Sequence, residues 1–263
     1  MNFSAISFTR ENSAGWITLN RPKRFNALDI AMCEELIKAL EVCAADRRVR
    51  AVVITGAGKA FCSGGDVKYF SEFLKTDPSE PVRQATKLLN RLIIDIRLMP
   101  KPVLAVINGA AVGAGMSLAL SCDLRIASRT AVFKQAYTSI GLVPDGAWSL
   151  LVSLFAGFGK ASEMIFLDHV IDSNQALKIG LVNEVVEPEK LMDTAREWAA
   201  KLVNGPTLSF AQAKNELNHA MLNLLERQLE LERQSIIMAT QTEDYKEGLA
   251  AFLAKRTPVF TGK

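Results

Sequence analysis

Gly58-Lys59-Ala60-Phe61-Cys62-Ser63-Gly64-Gly65-Asp66 and Asn108-Gly109-Ala110-Ala111-Val112-Gly113-Ala114-Gly115 follow one plan. Each comes after a short β-branched run, Ala51–Thr55 and Val103–Ile107, whose composition reads as a buried strand. Each leads into a helical pattern. A strand that empties through glycines into a helix leaves the first helical N–H groups without internal partners. The helix dipole then makes such a turn a favourable place for negative charge. Two turns of this kind, if they converge, can hold one oxygen between two amides. Either loop alone is equally explained by glycines that only permit tight turns.

Outward from these loops the pattern repeats weakly: strand, glycine loop, helix, then the same again, with a third strand at Asp123–Ala127. This predicts turns of a spiral rather than one doubly wound sheet. Upstream, Ala5–Thr9 and Gly15–Asn20 alternate as two strands around a turn near Asn12. Asp29 is placed to cap a helix carrying Ile30, Cys33, Ile37 and Leu40. A helix beginning near Pro81, with Leu88, Leu92 and Ile96 on one face, is stopped by Pro100 and Pro102. After Asp145 the chain is mostly helical, with one strand-like run at Gly180–Glu187. A boundary near Pro206 separates a core (1–205) from a helical C-terminal region (206–263).

The bulk properties exclude several classes. The 263 residues are 49% hydrophobic and 22% charged, an ordinary globular balance, and the net charge of +3 is not gathered into a basic stripe. Arg47-Arg48-Val49-Arg50 and Lys255-Arg256 are short runs that read as solvated helix ends, so no nucleic-acid partner is expected. Cys33, Cys43, Cys62 and Cys122 have neither paired nor CxxC spacing and read as small buried thiols. Met1–Arg10 lacks the apolar core of a leader, and the run Pro102–Leu120 is interrupted by Asn108 and glycines. A cytoplasmic, non-membrane protein is expected. Gly56-Ala57-Gly58 follows a strand, but Phe61 stands where a dinucleotide fingerprint needs its third glycine. Walker and HExxH motifs are absent.

Phe61–Asp66, Lys101–Gly109 and Gly113–Asp123, together with Asn20-Arg21-Pro22, Asn26-Ala27-Leu28 and Phe252…Lys255-Arg256…Pro258, resemble the crotonase superfamily of enoyl-CoA hydratases and isomerases. The likeness spans nearly the whole chain. It implies an α/β fold with a ββα spiral core and a helical C-terminal region that makes homotrimers or dimers of trimers. It implies an acyl-CoA thioester as substrate, with coenzyme A part of that substrate and no separate cofactor or metal. The N–H groups of Gly65 and Ala114 are expected to hold the thioester oxygen. Ser63, Gly64, Val67, Gly113 and Ala27 are expected around it, Arg24 at a coenzyme phosphate, and Phe252 and Lys255 at the coenzyme of a neighbouring subunit.

Family hydratases use two glutamates, and the matching positions here are Ser117 and Tyr137. One acid remains nearby, Asp145 in Ile140–Gly146, where isomerases of the family carry an acid. The resemblance therefore implies a double-bond isomerase with Asp145 as its single acid/base, walled by Phe133, Tyr137 and Leu142. Phe70 and Phe73 are further candidates for the acyl pocket. Two alternatives stand beside this: a hydratase of altered activity, and a non-catalytic homologue that binds coenzyme A or RNA. Pro144-Asp145-Gly146 before an apolar helix also reads as an ordinary N-cap. Asp66 is expected to fix the first loop at the substrate site. His169 and His219 lie far from the loops, which disfavours chemistry that needs a histidine.

Overall fold

The computed structural model describes residues 3–263, with Leu222 and Asn223 described by their backbone alone; Met1 and Asn2, at the start of the segment read for a leader, lie outside. β1 (Ile6–Glu11) and β2 (Ala14–Leu19) form an antiparallel hairpin. Its turn residues, Asn12 and Ser13, both take positive φ, 46° and 65°. That matches the twist of the strands they join. Asp29 accepts a hydrogen bond from the Met32 N–H at 2.9 Å and opens α1 (Ile30–Ala45), as its position in the sequence predicts.

A unit then repeats. β3 (Ala51–Gly56), β4 (Ala60–Cys62) and α2 (Val67–Ser71) are followed by α3 (Ser79–Leu98). Next come β5 (Val103–Ile107), β6 (Ala110–Val112) and α4 (Ala114–Ser121). The third turn has β7 (Leu124–Ser128), β8 (Val132–Lys134) and a 3₁₀ turn at Thr138–Ile140. The first strand of each unit joins a six-stranded sheet of order β1-β2-β3-β5-β7-β10, and the second joins a sheet of order β4-β6-β8-β9. The chain therefore climbs as a spiral of ββα turns. The second strands lie in stretches that read as loops, because three residues are too few to show alternation.

The remaining elements are α5 (Trp148–Ala156), α6 (Phe158–Leu167), β9 (Ile171–Asp172), α7 (Ser173–Lys178), β10 (Glu184–Val186) and α8 (Leu191–Asn204). α9 (Thr207–His219), α10 (Leu222–Ala239) and α11 (Glu243–Ala254) complete the fold. Cys33 and Leu40 on α1 and Leu92 and Ile96 on α3 are buried as their spacing predicts, and the buried faces extend beyond those stripes. Met32, Leu36 and Ala39 are buried on α1 where Ile30 and Ile37 are half-buried, and Leu89 is buried on α3 where Leu88 is not.

The last two helices share the core of the body: Leu225, Leu229, Ile236, Tyr245 and Leu249 join Leu36, Leu92 and Phe61 in one buried cluster. α8 covers the other face of the large sheet against Val53, Leu104 and Ile126. Buried polar bonds fasten the attachment. Lys214 reaches Asp123 at 2.7 Å, Arg97 donates to Asn218 at 3.0 Å, and Arg50 donates to the Gly205 carbonyl at 2.7 Å.

Successive turns of the spiral stack backbone to backbone. At Gly115 an added Cβ would fall inside the Cys62 carbonyl, whereas at Gly159 it would meet nothing within 4 Å. Gly115→Ala is therefore expected to destabilise the fold by about 3 kcal/mol through overpacking. Gly159→Ala, within α6, is expected to be neutral or stabilising by up to about 1 kcal/mol. Urea denaturation of the two variants checks the contrast.

Candidate active site

The repeat delivers both glycine loops to one cavity. β4 and β6 pair in parallel, so the residues after them leave the sheet side by side. Gly64 has φ +92°, and a Cβ there would sit 2.9 Å from the Val112 carbonyl oxygen and 3.4 Å from the Ala114 nitrogen. Only glycine permits that approach. Leu28 donates to the Gly64 carbonyl at 2.7 Å and accepts from the Asp66 N–H at 2.9 Å. In this parallel bridge the N–H of Gly65 faces away from Leu28. Ala114 is the first residue of α4, where an N–H has no partner inside the helix.

The loops line a cavity of about 450 Å³. Of the residues expected from sequence, Ser63, Gly64, Gly65, Val67, Gly113, Ala114, Tyr137, Asp145 and Phe252 line it. Leu28, Cys33, Phe70, Val82, Thr86, Leu89, Leu142 and Ile236 make its apolar wall, while Lys134, Gln135, Arg256 and Pro258 add polar edges. Phe133 is buried but does not border it, and neither does Phe73.

Four expected residues fall elsewhere. Arg24 is exposed at the end of the 3₁₀ turn Pro22–Arg24. Ala27 is buried, its carbonyl accepting from Arg21 Nη1. Asp66 caps α2 through the Tyr69 N–H and pairs with Arg21 at 2.9 Å, so it fixes the loop from behind. Lys255 is the exposed, left-handed end of α11. Phe252, expected at a neighbouring subunit, lines the cavity of its own chain. α11 folds back on its own body, where a Cβ at Gly248 would clash with the Ile140 backbone.

Among the described residues lining this cavity, Asp145 is the only carboxylic acid. It is 6% exposed, and burial raises its pKa to about 6 against an opposing hydrogen bond from Tyr137. The Tyr137 hydroxyl donates to Asp145 Oδ1 at 2.6 Å, and the Ser117 hydroxyl donates to the Asp145 carbonyl at 2.8 Å. Tyr137 is thus a donor to the acid as well as part of its wall. The N-cap reading of Asp145 is not what forms. α5 begins at Trp148 behind Ala147, without a side-chain cap of its own, and its N-terminal amides are met by Glu232 of α10.

Glu232 and Asp168 were not found from sequence. Glu232 accepts from the N–H of Ala147 at 2.6 Å and of Ser149 at 3.1 Å. Asp168 accepts from the N–H of Ala136 at 2.9 Å and from Gln135 Nε2 at 2.6 Å. Ala136 and Ala147 are both left-handed, at φ 56° and 61°. The legible signal for Glu232 was a carboxylate in the apolar series Leu225, Leu229, Glu232, Ile236 at helical spacing. For Asp168 there was none. His169 pairs with Glu163 and His219 ends α9; neither borders the cavity.

Known proteins are similar to this chain in sequence and fold. The sequence pattern of the enoyl-CoA hydratase/isomerase family matches residues 9–263. The chain belongs to that family. The 1,2-epoxyphenylacetyl-CoA isomerase of Escherichia coli is 38% identical to this hydratase/isomerase homologue over 251 residues, 94% of each chain. The short-chain-enoyl-CoA hydratase of Clostridium acetobutylicum is 35% identical over 97% of each. A crystal structure of an enoyl-CoA hydratase from Mycobacterium avium subsp. paratuberculosis superposes with TM-score 0.89 at 33% identity, over 99% of this chain and all of that one. The crotonase spiral is thus the fold, and relatives bear both isomerase and hydratase names. Among the described residues no helix is long and apolar enough to cross a membrane, and no cluster of His, Cys, Asp and Glu could hold a metal ion.

The Tyr137 hydroxyl favours the ionised form of Asp145. Tyr137→Phe is expected to raise the Asp145 midpoint above about 6, by about half a unit to one unit. A ¹³C NMR titration of labelled aspartate, assigned with Asp145→Asn, reads the shift.

Proposed function

We propose that this family member is an enoyl-CoA isomerase with Asp145 as its single acid/base. The observation that carries the reading is that, among the described residues, Asp145 is the one acid on a cavity wall that also holds both glycine loops. The thioester oxygen sits between the Gly65 and Ala114 amides, and the acyl chain runs along the wall made by α2, α3 and α10. Asp145 removes a proton from the carbon next to the double bond. The electron pair moves into the thioester, negative charge gathers on its oxygen, and the same carboxyl returns the proton at the far end of the shifted system. No water enters and no atoms are gained or lost. Each oxyanion donor contributes about 3–4 kcal/mol to the transition state, and the placed base about 10²–10⁴ in rate.

Hydration needs one group to activate water and another to deliver a proton to carbon. Ser117 and Tyr137 occupy the positions of the family's hydratase glutamates, and both hydroxyls are engaged with Asp145. The names of several relatives favour hydration as a second reading. Incubation with 3-enoyl-CoA, 2-enoyl-CoA and a ring-epoxide acyl-CoA separates the readings by product. Isomerisation of 3-enoyl-CoA, lowered about 10²–10⁴-fold in Asp145→Asn, is the expected result. Full rate in that variant overturns the assignment, and turnover of none of the three points to a binding protein.

The base must be ionised to act, so kcat/KM is expected to rise with pH through about 6, the Asp145 midpoint. Stability runs the other way. Because burial raises this carboxyl above its ordinary value, its ionisation costs folded-state stability as pH climbs from about 4 to about 6. Asp145→Asn is expected to be more stable than wild type by about 1–3 kcal/mol at pH 8, with the difference gone below pH 4. Thermal melts across that range check it.

A further inference from the structure

We propose that Glu232 is a positioning residue of the active site, whose carboxylate fixes the first turn of α5 and so holds the Asp145 carboxyl against Tyr137 at the cavity wall. The proposal rests on the reading of Asp145 as the base.

Glu232 is 4% exposed, on the face of α10 that carries Leu225, Leu229 and Ile236. A fourth apolar residue would suit that stripe, whereas a buried acid there costs several kcal/mol unless its partners compensate. Its partners are the Ala147 N–H on Oε2, and the Ser149 N–H and hydroxyl on Oε1. Gln228 donates to the Ser149 oxygen at 2.8 Å, which directs the hydroxyl proton toward Glu232. Donors converge on both oxygens, so two acceptor oxygens are required. An amide offers one. Ala147 is left-handed without being glycine, a conformation that costs on the order of 1 kcal/mol and persists only when its surroundings impose it. Asp145 lies two residues earlier, its carbonyl accepting from the Ser117 hydroxyl and the Trp148 N–H.

The two acids also bear on each other. Burial raises Glu232 to about 7, opposed by Ser149, and the neighbouring Asp145 charge adds to the rise. Tyr137 faces both acids, and Cys33 of α1 faces Asp145, its own thiol raised by burial. α3, α5 and α9 pack on α10, and among the described residues none places a cation in a salt bridge with Glu232. The charge of Asp145 disfavours ionisation of Glu232, so the two acids titrate with reference to each other. The Asp145 titration in wild type is accordingly expected to spread over two steps between about pH 6 and 7.

Glu232→Gln tests this in the full chain. It is expected to lower kcat for 3-enoyl-CoA about 10–100-fold with KM changed less than about 2-fold, as a misplaced but present base does. The ¹³C titration of Asp145 is expected to collapse to one step with a midpoint no higher than in wild type. A folded variant with wild-type kcat and an unchanged two-step titration overturns the proposal, even if its Tm is lower. If Glu232→Gln does not fold, Ser149→Ala removes one donor and leaves two. It is expected to lower kcat about 2–5-fold with the same KM, and no change in kcat overturns the proposal. Asp145→Asn runs alongside. A dead Asp145→Asn beside an unaffected Glu232→Gln removes this inference alone. A fully active Asp145→Asn removes the functional reading, and the titration then decides on the clamp by itself.

Discussion

Contact between backbones, without side chains in between, sets the geometry of this protein. Gly64 lies against Val112–Ala114, and Gly115 lies against Cys62, each too close for a Cβ. Parallel pairing of β4 with β6 forces the two loops to leave the small sheet together, and the glycines allow them to touch. With any larger residue at these points the turns of the spiral would stand apart. The amides of Gly65 and Ala114 would then border different spaces. The cavity is therefore a consequence of how the spiral stacks, and its position is fixed before any acid or aromatic side chain is placed.

A second constraint acts on the opposite wall. Tyr137 and Asp145 each sit within two residues of a left-handed alanine, Ala136 and Ala147. Alanine gains nothing from that conformation, so something outside each turn must hold it. Asp168 holds the first through the Ala136 N–H, and Glu232 holds the second through the Ala147 N–H. One anchor lies just beyond α6 and the other on α10, so the outer helices reach into the site through two carboxylates. Through Glu232 this ties the helical C-terminal region to the turn that carries Asp145.

The sequence displayed the spiral because its long strands and glycine turns carry local signals: β-branched runs, caps and left-handed turn residues. The loops were legible for the same reason, whereas the local pattern around Asp145 suggested an N-cap that does not form, and only the family resemblance pointed to it as an acid in the site. Phe252 was expected to reach substrate and does line the cavity; that it lines the cavity of its own chain depends on where α11 packs, a tertiary contact between Gly248 and Ile140. Asp66 fixes the first loop, as its place beside Gly65 suggests, through its cap on α2 and its pair with Arg21. It adjoins lining residues yet turns back to Arg21, while Arg24 is exposed at the end of its 3₁₀ turn. Glu232 lies nearly ninety residues from the turn it holds, and its only trace was an acid in an apolar stripe. Asp168 left no trace, since a helix-end aspartate is ordinary wherever it occurs.

The same wall explains how one scaffold could serve two reactions. A hydratase needs two carboxylates around the substrate, whereas Ser117 and Tyr137 here direct their hydroxyls to Asp145. A glutamate at either place would remove a donor from Asp145 and bring a like charge toward it, disfavouring its ionisation further. One acid supported by two hydroxyls and two acids sharing a water are thus alternative ways to fill the same volume. In this protein the Tyr137 hydroxyl is bonded to the Asp145 carboxylate and the Ser117 hydroxyl to the Asp145 backbone carbonyl, and burial has tuned that carboxylate toward neutrality.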